Sequence, residues 1–144
     1  MSDYADVGKF HEKFGLPRAG DGHPPVMPDA ETMRFRVARL VEEIDELRTA
    51  LAYNNLVGAA DALVDLVYIA LGTAHFCRLP WPELFAEVQR ANMTKRRASD
   101  AAESKHGTTL DVVKPQGWLP PNIVDVLMAH GWNGPPLPFT EEKT

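Results

Sequence analysis

The amino-acid sequence predicts an all-α fold, a bundle of four to five helices, and three observations carry that expectation. Apolar residues recur at steps of three and four in several segments, which is the helical period. Proline, glycine and asparagine separate those segments, and these residues stop helices and build turns. No segment alternates apolar and polar residues with period two, as a half-buried strand would. A chain of 144 residues suits one domain, 1–144, around a single core.

The first helix runs from about Asp3 to Phe14, where Tyr4, Val7, Phe10, His11 and Phe14 share one face. Gly15 and Pro17 end it. Leu16 to Asp29 holds four prolines and two glycines and reads as an irregular surface loop. Asp29 then caps the second helix, with Glu31 in the first turn, where the dipole favours an acid. Met33, Val37, Leu40, Ile44, Leu47 and Leu51 form its apolar stripe. Asn54 and Asn55 suit a turn.

The third helix spans about Leu56 to Phe76 and is apolar all round, which predicts the central, most buried element. Pro80 and Pro82 open a fourth helix with Leu84, Phe85 and Val88 inward. Ser99 to Thr109 is polar and reads as a mobile loop. The segment Lys114 to Pro121 leads to a short helix near Asn122 to His130, and a Pro-rich extension covers about 131–144.

Composition narrows the function. Apolar residues make up 44% and charged residues 24%, with a net charge of -5. A mildly acidic protein is a poor binder of nucleic-acid polymers, since backbone phosphates need a surplus of Lys and Arg. A small phosphorylated ligand remains compatible if cations screen the repulsion. Cys77 is the single cysteine, so an internal disulfide and a CxxC metal site are excluded. The five histidines lack paired ligand spacing, which argues against zinc. The N-terminus has no basic start or apolar run of a signal peptide. Asp61, Asp65, His75 and Arg78 interrupt the longest apolar stretch, which argues against a bilayer span. The expected location is the cytoplasm, that of a host if the gene is phage-borne.

The acids are the main chemical signal. Glu42, Glu43 and Glu46 occupy a sector of roughly 100° beside the apolar stripe of the second helix. On that helix alone they could be a solvated edge. Asp61 and Asp65, one turn apart on an apolar helix, repel each other unless a cation or a base lies between them. No Lys or Arg precedes Arg78 on this helix, so bound metal is the simplest partner. The alternative has Asp61 serving the helix N-terminus and Asp65 paired with Arg36 or Arg39. A site of carboxylates alone suits Mg²⁺, with Mn²⁺ able to substitute. On the fourth helix Asn92 and Lys95 continue an inward stripe and could meet phosphate or sugar, or simply complement the helix dipole. Lys114 and Trp118 could close over a base and its phosphates, or anchor the C-terminal segment.

Taken together, the acids Glu42-Glu43-Ile-Asp-Glu46 and the stretch Asp61-Ala-Leu-Val-Asp65-Leu-Val-Tyr68 resemble the MazG-like all-α nucleotide pyrophosphohydrolases, whose mark is EExxE followed by ExxD. Phe10 to Pro17, Phe85 to Lys95 and Lys114 to Pro121 extend the resemblance over about Phe10 to Pro121. It departs at one place: the glutamate expected three before Asp61 or Asp65 is Gly58 or Ala62. Which aspartate is the principal ligand therefore stays open.

The resemblance implies hydrolysis of a nucleoside triphosphate between its α- and β-phosphates. Glu43, Glu46, Asp61 and Asp65 would hold metal, and Glu42 or Glu43 would accept the proton of the attacking water. Asn92, Lys95, Lys114 and Trp118 would bind substrate, and Phe10, His11 and Phe14 would line the base pocket. It also implies a homodimer or homotetramer. The expected substrate is (d)GTP, as in a phage MazZ-like branch. Alternatives are dUTP, non-standard nucleotides and phosphoribosyl-ATP, and, from another class, a non-catalytic helical interaction module.

Overall fold

The computed structural model describes residues 2–134. Its elements run α1 (Asp3–Lys13), α2 (Ala30–Ala52), α3 (Leu56–Phe76), α4 (Trp81–Met93), β1 (Arg96–Arg97), β2 (Val112–Val113) and α5 (Ile123–Ala129). The fold class is all-α, as the helical periods predict. The two strands pair antiparallel, Arg96 with Val113 and Arg97 with Val112. At two residues each, they are too short for any alternation to register in sequence. The described residues gather into two compact units, residues 2–79 with His130–Trp132, and Pro80–Ala129 with Asn133 and Gly134. From residue 135 onward, the Pro-rich extension lies outside the described residues.

In the first unit, side-chain caps start each helix. Ser2 accepts from Ala5 N–H, Asp29 from Thr32 N–H and Asn55 from Gly58 N–H, which satisfies donors that have no partner within a helix. Between α2 and α3 the chain turns through Asn54, whose φ of 52° is left-handed, a conformation asparagine tolerates. Three residues therefore suffice to make a helical hairpin.

Arg36 on α2 ties that hairpin across its width. Its Nε donates to Thr73 Oγ1 at 3.1 Å and its Nη2 to the Ile69 carbonyl at 2.8 Å, with the guanidinium over the Phe76 ring. Gly72 makes the space, since a Cβ there would lie 2.9 Å from Arg36 Nη2 and 3.2 Å from His11 Nε2. α1 packs against α3 by the same device. A Cβ on Gly8 would come within 3.0 Å of His75. The His75 ring stacks on Tyr4 at 3.9 Å. Its Nδ1 accepts from Ala19 N–H, so Nε2 carries the proton and donates to the Tyr4 carbonyl at 2.8 Å.

α3 is the central helix of this unit and buries more residues than α1 or α2, as expected, but it is not buried all round. Val57 and Val64 are 82% and 66% exposed, and Leu56, Leu63 and Val67 also face outward. Its length and hydropathy would allow a bilayer span, yet Asp61 and Asp65 interrupt it and α1 and α2 cover its other faces. α2 is rotated relative to its sequence stripe. Its buried positions are Glu43 and Ala50, while Val37, Ile44 and Leu51 are exposed.

In the second unit, α4 buries Leu84 and Ala91, seven residues apart on one face. Phe85 and Val88, also expected inward, are exposed, with Phe85 about 100° round from Leu84. The stretch expected to be a mobile loop is closed by hydrogen bonds. Arg96 Nη1 reaches Glu103 at 2.9 Å, Ser99 N–H donates to Glu103, and Ser104 Oγ donates to Asp111 at 2.7 Å. The Arg96 hydrogen bonds hold the Glu103 carboxyl down at about 2.

His11 and His75 are both buried, and burial lowers both imidazole pKa values. The folded state therefore resists a proton that the unfolded chain accepts near the ordinary histidine value of about 6.5. Stability should be complete above that value and fall as pH drops through it. Thermal unfolding between pH 7.5 and 5 should show a falling midpoint, with a flatter profile in His75→Gln.

Candidate active site

Glu42, Glu43 and Glu46 sit mid-way along α2, and Asp61 and Asp65 sit on the facing helix α3. The structure gives them different surroundings. Glu43 is buried, 4% exposed, and its Oε2 has no hydrogen-bond partner. Its pKa is raised, first by burial and then by the charges of Glu46, Asp65 and Glu42, with Arg39 opposing. Glu42, Glu46, Asp61 and Asp65 are solvent-exposed.

The two aspartates diverge in role. Asp65 acts on the buried Glu43. Asp61 instead lines an open groove of about 740 Å³ with Glu42, Asp45, Glu46, Tyr53, Asn55 and Gly58. The arginine-pairing alternative for Asp65 is not seen: Arg36 is engaged by Thr73 and Ile69, and Arg39 pairs with Glu42 and Glu43. Sequence reasoning offered Arg39 only as a partner for Asp65; its actual partners Glu42 and Glu43, three and four residues on, stand at the spacing of a helical ion pair.

The departure from ExxD also has a local cause. A Cβ at Gly58 would meet the capping Asn55 side chain at 2.8 Å and Ala50 Cβ at 3.3 Å. Ala62 is 1% exposed, inside the core. Neither position has room for a glutamate without rearrangement.

The donors are carboxylate oxygens throughout, and one buried oxygen is orphaned. That set suits a hard divalent cation. Among the described residues, no three His, Cys, Asp or Glu side chains are drawn together tightly enough to form a ready-made metal cage.

The remaining expected site residues fall in two places. Phe10 and Phe14 are half-exposed on α1, and Phe10 also meets Tyr68 edge-on. His11 is buried, with Nδ1 donating to the Pro17 carbonyl at 2.6 Å, so its ring supports the α1–α3 contact. In the second unit Trp118 Nε1 donates to the Ala91 carbonyl at 2.8 Å, which anchors the C-terminal segment to α4. Lys95 and Lys114 both lie over the Trp118 ring, at 5.4 and 4.5 Å from its centre. Together with Lys105 and His106 they line a depression of about 720 Å³. Asn92 is exposed at the end of α4.

The model of the family described as phosphoribosyl-ATP pyrophosphohydrolase matches residues 7–92, more than half of the chain. The chain belongs to this family. It is a pyrophosphohydrolase of the MazG-like all-α superfamily, and hence an enzyme rather than a bare interaction module. Enzymes of this superfamily generally use divalent metals. No curated protein matches the chain. The family match takes in all five acids and ends at Asn92, so Lys95, Lys114 and Trp118 lie beyond it.

Burying a carboxylate beside like charges destabilises the metal-free protein. Glu43→Gln keeps the shape and removes the charge, so its metal-free thermal midpoint should rise while turnover is lost. A midpoint below that of the wild type would mean that Glu43 is held by contacts the neutral amide cannot keep.

Proposed function

We propose that this pyrophosphohydrolase catalyses Mg²⁺-dependent hydrolysis of a nucleoside triphosphate between its α- and β-phosphates, releasing a nucleoside monophosphate and pyrophosphate. The observation that carries the reading is the buried, partnerless Glu43 oxygen amid Glu42, Glu46 and Asp65. Glu43, Glu46 and Asp65 would hold the cation, with Asp61 at the groove. Bound Mg²⁺, or Mn²⁺ in its place, would neutralise phosphate charge and acidify a nearby water.

The rest belongs to the chain. Water oxygen bonds to the α-phosphorus as the bond to the bridging oxygen breaks, and pyrophosphate departs with the electron pair. Glu42 or Glu43 takes the water's proton. Asn92, Lys95, Lys114 and Trp118 are proposed contacts for phosphate, sugar or base, and Phe10 and Phe14 for the base.

(d)GTP is the proposed substrate. The family description favours one further reading, phosphoribosyl-ATP, which presents the same anhydride. The deciding assay separates monophosphate, diphosphate and pyrophosphate after incubation with dGTP, GTP, dUTP, dATP, dCTP, dTTP or phosphoribosyl-ATP. Monophosphate with pyrophosphate, lost on chelation and in Glu46→Ala and Asp65→Ala, is expected. Turnover unchanged in both variants would sink the site assignment.

We also propose a homodimer or homotetramer, supported by the exposed apolar residues of α2 and α3. Light scattering after size exclusion should give at least twice the 16.0 kDa chain mass, and Val64→Asp should lower it. A monomer at micromolar concentration would refute this.

A further inference from the structure

We propose that Arg39 is the internal counter-ion of the metal-free carboxylate site and that a binding divalent cation displaces it. The inference rests on reading the α2–α3 carboxylates as a metal site, and it adds a positioning residue that the acidic motifs do not contain.

Of the five acids assigned to the site, only Glu42 and Glu43 have ion pairs among the described residues, and both pair with Arg39. The guanidinium spans them through Nη1 to Glu42 and Nη2 to Glu43 Oε1, the latter at a long 3.3 Å. Glu43 Oε2 stays without a partner. One positive charge thus serves both Glu42 and Glu43, while Glu46 and Asp65 add like charge to Glu43, and the buried acid stays half satisfied. A dication bound directly to Glu43 would use the same oxygen lone pairs and repel the guanidinium.

The geometry gives Arg39 somewhere to go. Its side chain is 39% exposed, so it can turn to solvent or to an incoming anion. Arg36, whose charge is felt together with that of Arg39, is pinned to Thr73 and Ile69 and cannot substitute for it. An arginine stays charged at any working pH, so the exchange is driven by cation binding and not by deprotonation.

A pairing present only in the metal-free state has a thermodynamic signature. Its removal destabilises that state and tightens cation binding by the same free energy. If Arg39 acted only by repelling the cation, its removal would tighten binding without destabilising the metal-free protein.

The test compares wild type, Arg39→Gln and Arg39→Lys by calorimetric titration with MnCl₂ and MgCl₂ and by thermal unfolding in chelator. Arg39→Gln should bind Mn²⁺ about three- to tenfold more tightly and unfold at a lower temperature in chelator, and saturating Mn²⁺ should close that gap. Arg39→Lys, which keeps the charge but not the two-pronged contact, should fall between and provides the comparison if Arg39→Gln does not fold. Unchanged or weaker affinity in the variants overturns the proposal, as does tighter binding with an unchanged metal-free midpoint. Wild-type protein that binds neither cation overturns the metal-site reading itself, and the counter-ion role with it.

Discussion

The burial of Glu43 in the seam between α2 and α3 is the constraint on which the rest of the first unit depends. A carboxylate at 4% exposure with an unpartnered oxygen is unfavourable in itself. The charges of Glu46, Asp65 and Glu42 make it more so. An apolar residue would pack better there, which is the pattern of a site where stability has been given up for chemistry. Packing elsewhere must then hold the seam shut against that repulsion.

Arg36 and the glycines do this holding. Arg36 crosses from α2 to two acceptors on α3, and Gly72 leaves the room its guanidinium needs. One turn along α3, Gly8 lets the neutral, fully bonded His75 fit between α1 and α3. Small residues at close approaches, each next to a polar side chain with satisfied partners, fix the helix positions. Ala62 and Gly58 are part of the same economy of space, which is why the acid pattern of α3 is Asp61 with Asp65 rather than a glutamate and an aspartate three apart.

The first unit carries the carboxylates of α2 and α3, and in the second Lys95, Lys105, His106 and Lys114 line one depression together with Glu103 and Asp111, with Lys95 and Lys114 over the Trp118 ring. Hydrogen bonding closes the intervening loop through Arg96, Glu103, Ser104 and Asp111, residues whose pairing has no periodic signal. That is the reason a polar run reads as a free loop in sequence and forms an ordered excursion in the structure.

Helix identity and extent were legible in the sequence, because capping, period and proline are local properties. The Asp29 cap, the Leu56–Phe76 span and the break at Pro80 all appear where the residues place them. Asp61 and Asp65 stood out too, since charge within an apolar helix has few explanations. Tertiary structure alone decided which way each helix turns. Of the expected inner stripe of α2, Met33, Leu40 and Leu47 are part-buried, while Val37, Ile44 and Leu51 are exposed and Glu43 and Ala50 are buried in their place. An all-apolar α3 offers no preferred face, so the rotation of α2 against it follows from Arg36, Gly72 and Ala62, residues far apart in sequence. The same long-range packing distinguished the two aspartates, setting Asp65 against Glu43 and Asp61 in the groove, and brought Arg39 between Glu42 and Glu43. Such choices depend on which surfaces meet, and periodicity along a single helix does not carry that information.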